Sequence, residues 1–194
     1  MSDVPDSPEE FFTKFIPARF GAVKGALAGR SSAGSMVFRV AGGGEWSFNL
    51  KDGELEVTPG VTGDVILQVT VPEEDFKAIF VRGAEAAGDD IKPEAQVMAF
   101  KAITIDAAKA NMVKAVAGTV AFMVKDGDAI RKLAITPGSA TPNLDAPDCK
   151  LECQMSDFLE MQGGKAQPVQ LAMSGKIRIV GNAQIPMALS GVLA

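Results

Sequence analysis

The fold is decided by the stretch 173-MSGKIRIVGNAQIPMALSG-191, close to the carboxyl end of the chain. Residues 176–179 alternate between charged and apolar side chains, the period of two that is typical of a half-buried β-strand. Gly181 and Asn182 follow as a turn signal, and the small, apolar segment after them, which includes Met187, predicts a helix. This helix covers either a packed core or an unfilled apolar space, and the choice separates an ordinary globular domain from a carrier.

Composition places the chain among globular proteins. Hydrophobic residues make up 47% and charged residues 22% of its 194 residues, and this length allows one large domain or two small ones. The net charge of −5 argues against a nucleic-acid partner, which normally requires a basic face for the phosphates. No segment approaches the run of about 18 apolar residues that spans a membrane, and the acidic amino terminus is unlike a secretory signal peptide. A cytoplasmic location is therefore predicted.

The residue types that are missing argue against catalytic and metal-binding functions. The chain contains no histidine and no tyrosine, so it lacks the usual general base and the commonest transition-metal ligand. We therefore expect a protein that is not an enzyme, with no catalytic residues, no cofactor and no metal site. Cys149 and Cys153 share one face of a predicted strand with Cα atoms about 13 Å apart, too far for a disulfide, and two buried thiols are expected.

The amino-terminal half begins with a strong helix signal. Ser7, Pro8 and Glu10 have the spacing of a capping box with proline at the first helical position. The phenylalanines of 11-FFTKF-15 recur at helical spacing. Pro17 is predicted to kink or end this helix.

A β-meander is predicted after this helix. Residues 36–40 and 46–51 alternate between apolar and polar positions, as half-buried strands do. The dipeptide 52-DG-53 is a hairpin signal that leads to a third strand around Leu55. A further strand at 65–71 then runs directly into a second predicted helix.

The second half of the chain repeats the order of these elements. The segment 119-TVAFMVKDGDAIRKLAITPG-138 echoes 36-MVFRVAGGGEWSFNLKDGELEVTPG-60. The segment 149-CKLECQMSDFLEMQGGK-165 echoes 65-VILQVTVPEEDFKAIFVRG-83. The first echo keeps the order of an apolar strand, a turn with glycine, another strand and the tripeptide TPG, and the second has Asp157 and Phe158 in the place of Asp75 and Phe76.

A third echo follows in the same order. The segment 175-GKIRIVGNAQIPMAL-189 matches 100-FKAITIDAAKANMVKAV-116, with a slip of one residue. Three matches in the same order predict a duplication. We expect one unit at residues 1–118 and a shorter unit at 119–194, which lacks the long first helix, as separate domains or as parts of one sheet.

The order of helix, meander, strand, helix, strand and helix resembles the sterol carrier protein-2 family of lipid-binding domains. The resemblance is carried by 8-PEEFFTKFIPARF-20, 42-GGGEWSFNLKDGELEV-57, 64-DVILQVTVPEEDF-76 and above all 173-MSGKIRIVGNAQIPMAL-189. It implies an α+β fold with a curved, mainly antiparallel sheet covered by helices on one face, here duplicated. It also implies a tunnel between sheet and helices that holds a fatty acyl chain, a sterol or a similar lipid.

Nine apolar residues are candidates for the lining of this tunnel. Methionine is unbranched and polarisable, and it suits a wall that adapts to different apolar shapes; the chain has 9 methionines but one tryptophan. The alternative is that these residues form a plain core, as apolar stripes at helical spacing usually do. The ligand-binding candidates are Phe76, Ile79, Phe80 and Met112 in the first unit, and Met155, Phe158, Met161, Met187 and Leu189 in the second.

The predicted function is non-catalytic binding and transfer of an apolar lipid, with transient membrane contact or release to an enzyme. The alternative is an interaction module whose tunnels are filled by its own side chains and which assists a lipid-metabolising partner. Lys176 and Arg178 share one strand face, which either faces solvent or contacts an anionic lipid headgroup.

Overall fold

The computed structural model describes residues 4–88, 100 and 103–193. Its strands are numbered in chain order. They are β1 Ser35–Ala41, β2 Gly44–Lys51, β3 Glu54–Pro59, β4 Val65–Pro72, β5 Val120–Asp126, β6 Ala129–Pro137, β7 Cys149–Gln154 and β8 Arg178–Gly181.

Six helical segments and a short 3₁₀ helix, Lys24–Leu27, accompany these strands in the described part of the chain. Two of them contain a wider, π-helical turn: α1 consists of Pro8–Glu10, the π turn Phe11–Phe15 and Ile16–Gly21, and α2 consists of Glu73–Phe76, the π turn Lys77–Val81 and Arg82–Ala87. The others are α3 Ala107–Ala115, α4 Met155–Gln162, α5 Pro168–Met173 and α6 Gln184–Leu193.

The described strands form one mixed sheet of eight strands, in the order β3-β2-β1-β4-β6-β5-β7-β8. The β1–β4 and β5–β7 pairs are parallel, and the other pairs in this order are antiparallel. The predicted α+β fold with a mainly antiparallel sheet is therefore confirmed. Because β4 pairs with β6, the strands of both predicted units belong to one continuous sheet, while the division at residue 118 stays a prediction.

The pairing in the first half is repeated in the second. Phe38 of β1 lies opposite Val69 of the parallel strand β4, and Phe122, its counterpart in the sequence echo, lies opposite Leu151 of β7. Both parallel strands run directly into a helix, α2 after β4 and α4 after β7. The duplication predicted from sequence corresponds to this repeated geometry. The start of the segment 100–116, which the third echo matches to a strand, falls partly outside the described residues, and its described residues 103–105 are not in a strand.

The first helix begins where its sequence signal predicts, but it is capped and ended differently. Ser7 has the extended backbone of an N-cap residue, yet its side chain makes no capping hydrogen bond. The helix also continues through Pro17 to Gly21. Pro17 lies in the first turn of the α-helical segment that follows the π turn, and a missing amide hydrogen costs least in that position.

The core of the first half is a cluster of phenylalanine rings between α1, α2 and the sheet. The buried ring of Phe12 lies 4.9 Å from the ring centroid of Trp46, 5.2 Å from that of Phe38 and 5.9 Å from that of Phe76. Phe38 also lies 4.8 Å from Phe48. These contacts fix α1 and α2 on the same face of β1 and β2.

The Gly181–Asn182 turn sets the position of α6. Gly181 has a φ of 99°, and a Cβ atom there would lie 2.4 Å from the carbonyl oxygen of Asp148, so glycine is required. The Asn182 amide donates to that same carbonyl at 2.9 Å, and the Asn182 side chain accepts from the amide of Gln184 at 3.1 Å. The helix that follows this turn, α6, packs against α3, and its residue Ile185 is buried.

Candidate functional site: a phenylalanine-lined cavity

A cavity of about 580 Å³ lies between α1, α2 and the sheet. Its lining comes mainly from the first half of the chain, and the end of α4 with the α4–α5 connection closes one side. The aromatic lining residues are Phe11, Phe12, Phe15, Phe38, Phe48, Phe80 and Phe100. The other lining residues are Ile16, Arg19, Met36, Gly83, Ala84, Ala87, Ile103, Met161, Gln162, Gly163, Gly164 and Gln167.

The widened turns of α1 and α2 face this cavity. The π turn of α1 supplies Phe11, Phe12 and Phe15, and the π turn of α2 supplies Phe80. A π turn inserts an extra residue into a helix and is frequent at functional sites. Phe80 lies 5.5 Å from Phe12 and 5.9 Å from Phe11, centroid to centroid, so the two widened turns meet at the wall.

Polar groups lie at the rim of the cavity. Gln162 and Gln167 are exposed, and Arg19 is half-buried. The Arg19 guanidinium donates to the carbonyl oxygen of Gly88 at 2.6 Å and lies 5.0 Å from the ring centroid of Phe15. The arrangement provides an apolar interior with a cation and two amides at its edge, the pattern of a site for a ligand with one polar end.

A close approach of two helices forms part of this rim. A Cβ atom on Gly83 of α2 would lie 1.9 Å from the side-chain oxygen of Gln162 at the end of α4. Glycine therefore lets α4 of the second half lie directly against α2 of the first half. The cavity is closed by this contact between the two halves of the chain.

The nine predicted ligand-binding residues take three different places. Phe80 and Met161 line the cavity. Met112 and Met187 are 58% and 67% exposed. The remaining candidates are buried in the hydrophobic core: Phe76, Ile79, Met155, Phe158 and Leu189.

The spacing of the phenylalanines of α1 predicts only the apolar stripe of a helix, although these residues form much of the cavity wall. Their helical spacing fits a core as well as a wall, so no sequence signal separates the two. Among the described residues, the helix after Gly181 packs on α3 and supplies no lining to this cavity, so a ligand-binding role for Met187 and Leu189 stays a prediction.

The two cysteines are free and buried, as predicted. Burial raises the pKa of both thiols, and for Cys153 burial together with the charge of Asp157 raises the pKa to about 11. A thiol with a raised pKa is a poor nucleophile at neutral pH, so neither cysteine is suited to covalent chemistry.

The described residues contain neither a metal-binding cluster nor a membrane-spanning helix. No group of three or more histidine, cysteine, aspartate or glutamate residues is placed to hold a metal ion within residues 4–88 and 103–193. In that same part of the chain, no helix has the length and apolar character needed to cross a bilayer.

The carboxyl-terminal half of the chain matches a known protein family. Residues 99–194 match the model of the SCP-2 sterol transfer family. The chain carries an SCP-2 sterol transfer domain. The matched range contains the whole of the predicted second unit together with α3, so the resemblance noted from sequence is confirmed there.

Known sterol carrier proteins match part of the chain. The chain is 34% identical to human sterol carrier protein 2 over 89 residues and 31% identical to the rabbit (Oryctolagus cuniculus) protein over 116 residues. These matches cover 42% and 55% of this chain but only 16% and 21% of the two relatives. The chain thus corresponds to a small part of each relative.

Solved structures of this family are also similar to the chain. Sterol carrier protein 2 from Yarrowia lipolytica is 23% identical, with a TM-score of 0.34 over 55% of this chain and 91% of that one. The palmitated SCP2L2 protein of Aedes aegypti is 18% identical, with a TM-score of 0.37 over 57% of this chain and 93% of that one.

The cavity lies mostly outside the range matched by the SCP-2 family. Its lining residues before position 88 precede the domain, whereas Met161 and Gln167 belong to it. The SCP-2 domain thus contributes Phe100, Ile103 and part of the rim, whereas the other six phenylalanines of the wall precede it.

Proposed function

We propose that the chain binds an apolar lipid in the phenylalanine-lined cavity and transfers it through the cytoplasm to a membrane or an enzyme, without catalysing a reaction. The observation that carries the proposal is the 580 Å³ space bounded by aromatic rings of α1, α2 and the sheet. Ligand pockets are concave, mostly apolar and typically about 300–1,000 Å³ in volume. The SCP-2 domain in the same chain supports a lipid as the ligand.

The strength of binding expected from such a site suits a carrier. Burying about fourteen methylene groups at ~0.8 kcal/mol each gives roughly 11 kcal/mol before costs. Association and ordering remove several kcal/mol, which leaves a dissociation constant in the micromolar range, on the order of 10⁻⁶ M. A ligand held with this affinity is retained in solution and still released.

The rim favours a ligand with an anionic end. Arg19 is the charged side chain among the described residues that line the cavity, and an arginine pairs well with a carboxylate. A fatty acid placed with its chain among the phenylalanines would bring its carboxylate toward Arg19. We therefore propose a fatty acyl chain ahead of a sterol as the ligand class.

The proposal is tested by extracting the purified, native protein and analysing the extract by mass spectrometry. We expect an acyl lipid in close to stoichiometric amount, and saturable uptake of a fluorescent fatty acid after delipidation. Arg19→Gln should weaken binding of the fatty acid and leave binding of its methyl ester unchanged. A delipidated protein that takes up neither a fatty-acid probe nor a sterol probe would contradict the proposal.

A further inference from the structure

The short helix α5 presents an apolar face to solvent. Val169 is 57% exposed and Met173 is 84% exposed. Their spacing of four residues places them one above the other on the same side of the helix. The sequence of α5, PVQLAM, contains no charged residue. The exposed side of this helix is therefore a small, uncharged, apolar surface.

The other side of α5 is anchored in the protein. Leu171 is buried, and its carbonyl oxygen accepts from the amides of Lys176 at 2.8 Å and Ile177 at 3.1 Å. The helix is thus held by its inner side and cannot turn Val169 and Met173 inward without losing this packing. Their exposure follows from the way in which the helix is fixed.

The apolar face lies next to the rim of the cavity. Gln167, which lines the cavity, is the N-cap residue of α5. The rim and the exposed side of α5 are therefore joined by one turn of backbone. A lipid that leaves the cavity past Gln167 would emerge beside Val169.

The charges around α5 permit approach to a membrane. The whole chain has a net charge of −5, yet residues 163–193 contain Lys165, Lys176 and Arg178 and no acidic residue. Lys176 pairs with Asp157 at 2.8 Å and lies 3.8 Å from Glu160. These pairs offset the acidic groups of α4, and Lys165 is exposed with no ion pair to any described residue.

From this arrangement we propose that α5 is the membrane-docking surface of the protein, with Val169 and Met173 inserting into the headgroup region of a bilayer. The inference rests on the proposed lipid-binding function and adds where the ligand is exchanged. Short apolar helix faces bind at the bilayer interface mainly through the apolar area that they bury. Since most nearby cations are already paired, we expect attraction to come chiefly from these two side chains and only slightly from Lys165.

The test compares V169D/M173D with M187D in the full-length protein. Met187 is a well-exposed apolar residue of α6, so M187D places one of the same substitutions on an apolar residue away from the proposed surface. Loaded with a fluorescent fatty acid, each protein is mixed with phosphatidylcholine vesicles containing a minor fraction of phosphatidylserine. We expect V169D/M173D to reduce vesicle binding in flotation by about tenfold to a hundredfold, and M187D to leave it unchanged.

The transfer kinetics give a second measurement. For the unchanged protein and for M187D, the rate of probe transfer should rise with vesicle concentration, because transfer occurs during contact. For V169D/M173D, the rate should become slow and independent of vesicle concentration.

All three proteins should bind the probe equally in the absence of vesicles, and loss of that binding would count against the proposed function instead. Equal flotation of V169D/M173D and the unchanged protein would overturn the inference. A change of molecular mass by light scattering in V169D/M173D alone would also overturn it, in favour of self-association.

Discussion

Asp75 accepts a hydrogen bond from the backbone amide of Lys132 at 2.8 Å. The carboxylate is buried at the start of α2, and Lys132 lies on β6 in the other half of the chain. The guanidinium of Arg131 donates to the same carboxylate at 3.2 Å, and this bond raises the pKa of Arg131. One buried carboxylate therefore holds the cavity-forming helix α2 to the SCP-2 domain.

We predict that Asp75→Asn destabilises the protein by about 1.5–3 kcal/mol, because hydrogen bonds to a charged group contribute in this range. The amide keeps the shape of the side chain, but one end of it becomes a donor facing a donor. Unfolding in urea would measure the change.

Asp64→Asn is the matched control. Asp64 pairs with Lys114 at 2.7 Å but is well exposed, and exposed ion pairs contribute about 0–1 kcal/mol. Equal destabilisation by the two substitutions would show that the Asp75 contact does not hold the halves together.

We predict that Ala84→Phe lowers the affinity for a fatty-acid probe by about tenfold to a hundredfold. Ala84 lines the cavity, so a larger side chain occupies space that the ligand needs, and each methylene excluded costs about 0.8 kcal/mol. Fluorescence titration of the delipidated protein would measure the affinity, and thermal unfolding would check that the fold is retained.

Ala86→Phe provides the comparison for this substitution. Ala86 is exposed on the same helical segment and does not line the cavity, so the same enlargement should leave affinity unchanged. If Ala84→Phe bound the probe as tightly as Ala86→Phe does, the ligand would have to lie elsewhere.

We predict that Gly181→Ala destabilises the protein more than Gly175→Ala does. Both glycines have a positive φ, which costs an alanine about 1 kcal/mol. A Cβ on Gly181 would also lie 2.4 Å from the backbone oxygen of Asp148, whereas nothing lies within 4 Å of one on Gly175. Chemical denaturation of both variants tests this, and equal losses would mean that the turn can shift away from Asp148.

We predict that stability falls as the pH rises from about 9 to about 11. The pKa of Cys153 is raised from 9.0 to about 11 in the folded state, so the unfolded chain releases the thiol proton first and is favoured across this window. Below the unfolded pKa both states hold the proton and the full stability is present. Denaturation midpoints measured at successive pH values would show the decline.

Removing each thiol distinguishes the loss of stability that the cysteines cause at high pH from the loss that the lysines cause. Cys153→Ala should flatten the fall in stability between pH 9 and 11 more than Cys149→Ala does, because the Asp157 charge raises the pKa of Cys153 as well. An unchanged slope in Cys153→Ala would show that other groups cause the fall.

The sequence was informative wherever a local pattern had one structural solution. The turn 52-DG-53 has positive φ angles of 52° and 82°, as a tight hairpin requires, and it joins β2 to β3 as predicted. The order of the eight described strands and of the helices other than α5 also follows from period and turn signals, because those signals act between near neighbours.

The cavity could be predicted only in part because it depends on distances between elements. Phe76 and Phe80 lie one helical turn apart on α2, yet Phe76 is buried in the core and Phe80 lines the space. Their patterns in the sequence are the same. The difference arises from the π turn and from the approach of α4 at Gly83, and neither leaves a signal in the spacing of apolar residues.

The pairing of β4 with β6 has a consequence for how the chain can be divided. A fragment limited to residues 99–194 would lack β4, and the amide and carbonyl groups of β6 that now pair with residues 67–70 would lie open along a strand edge. Exposed edges of this kind recruit other chains and promote aggregation. Within the whole chain, β4 of the amino-terminal half covers this edge of the segment that matches the family.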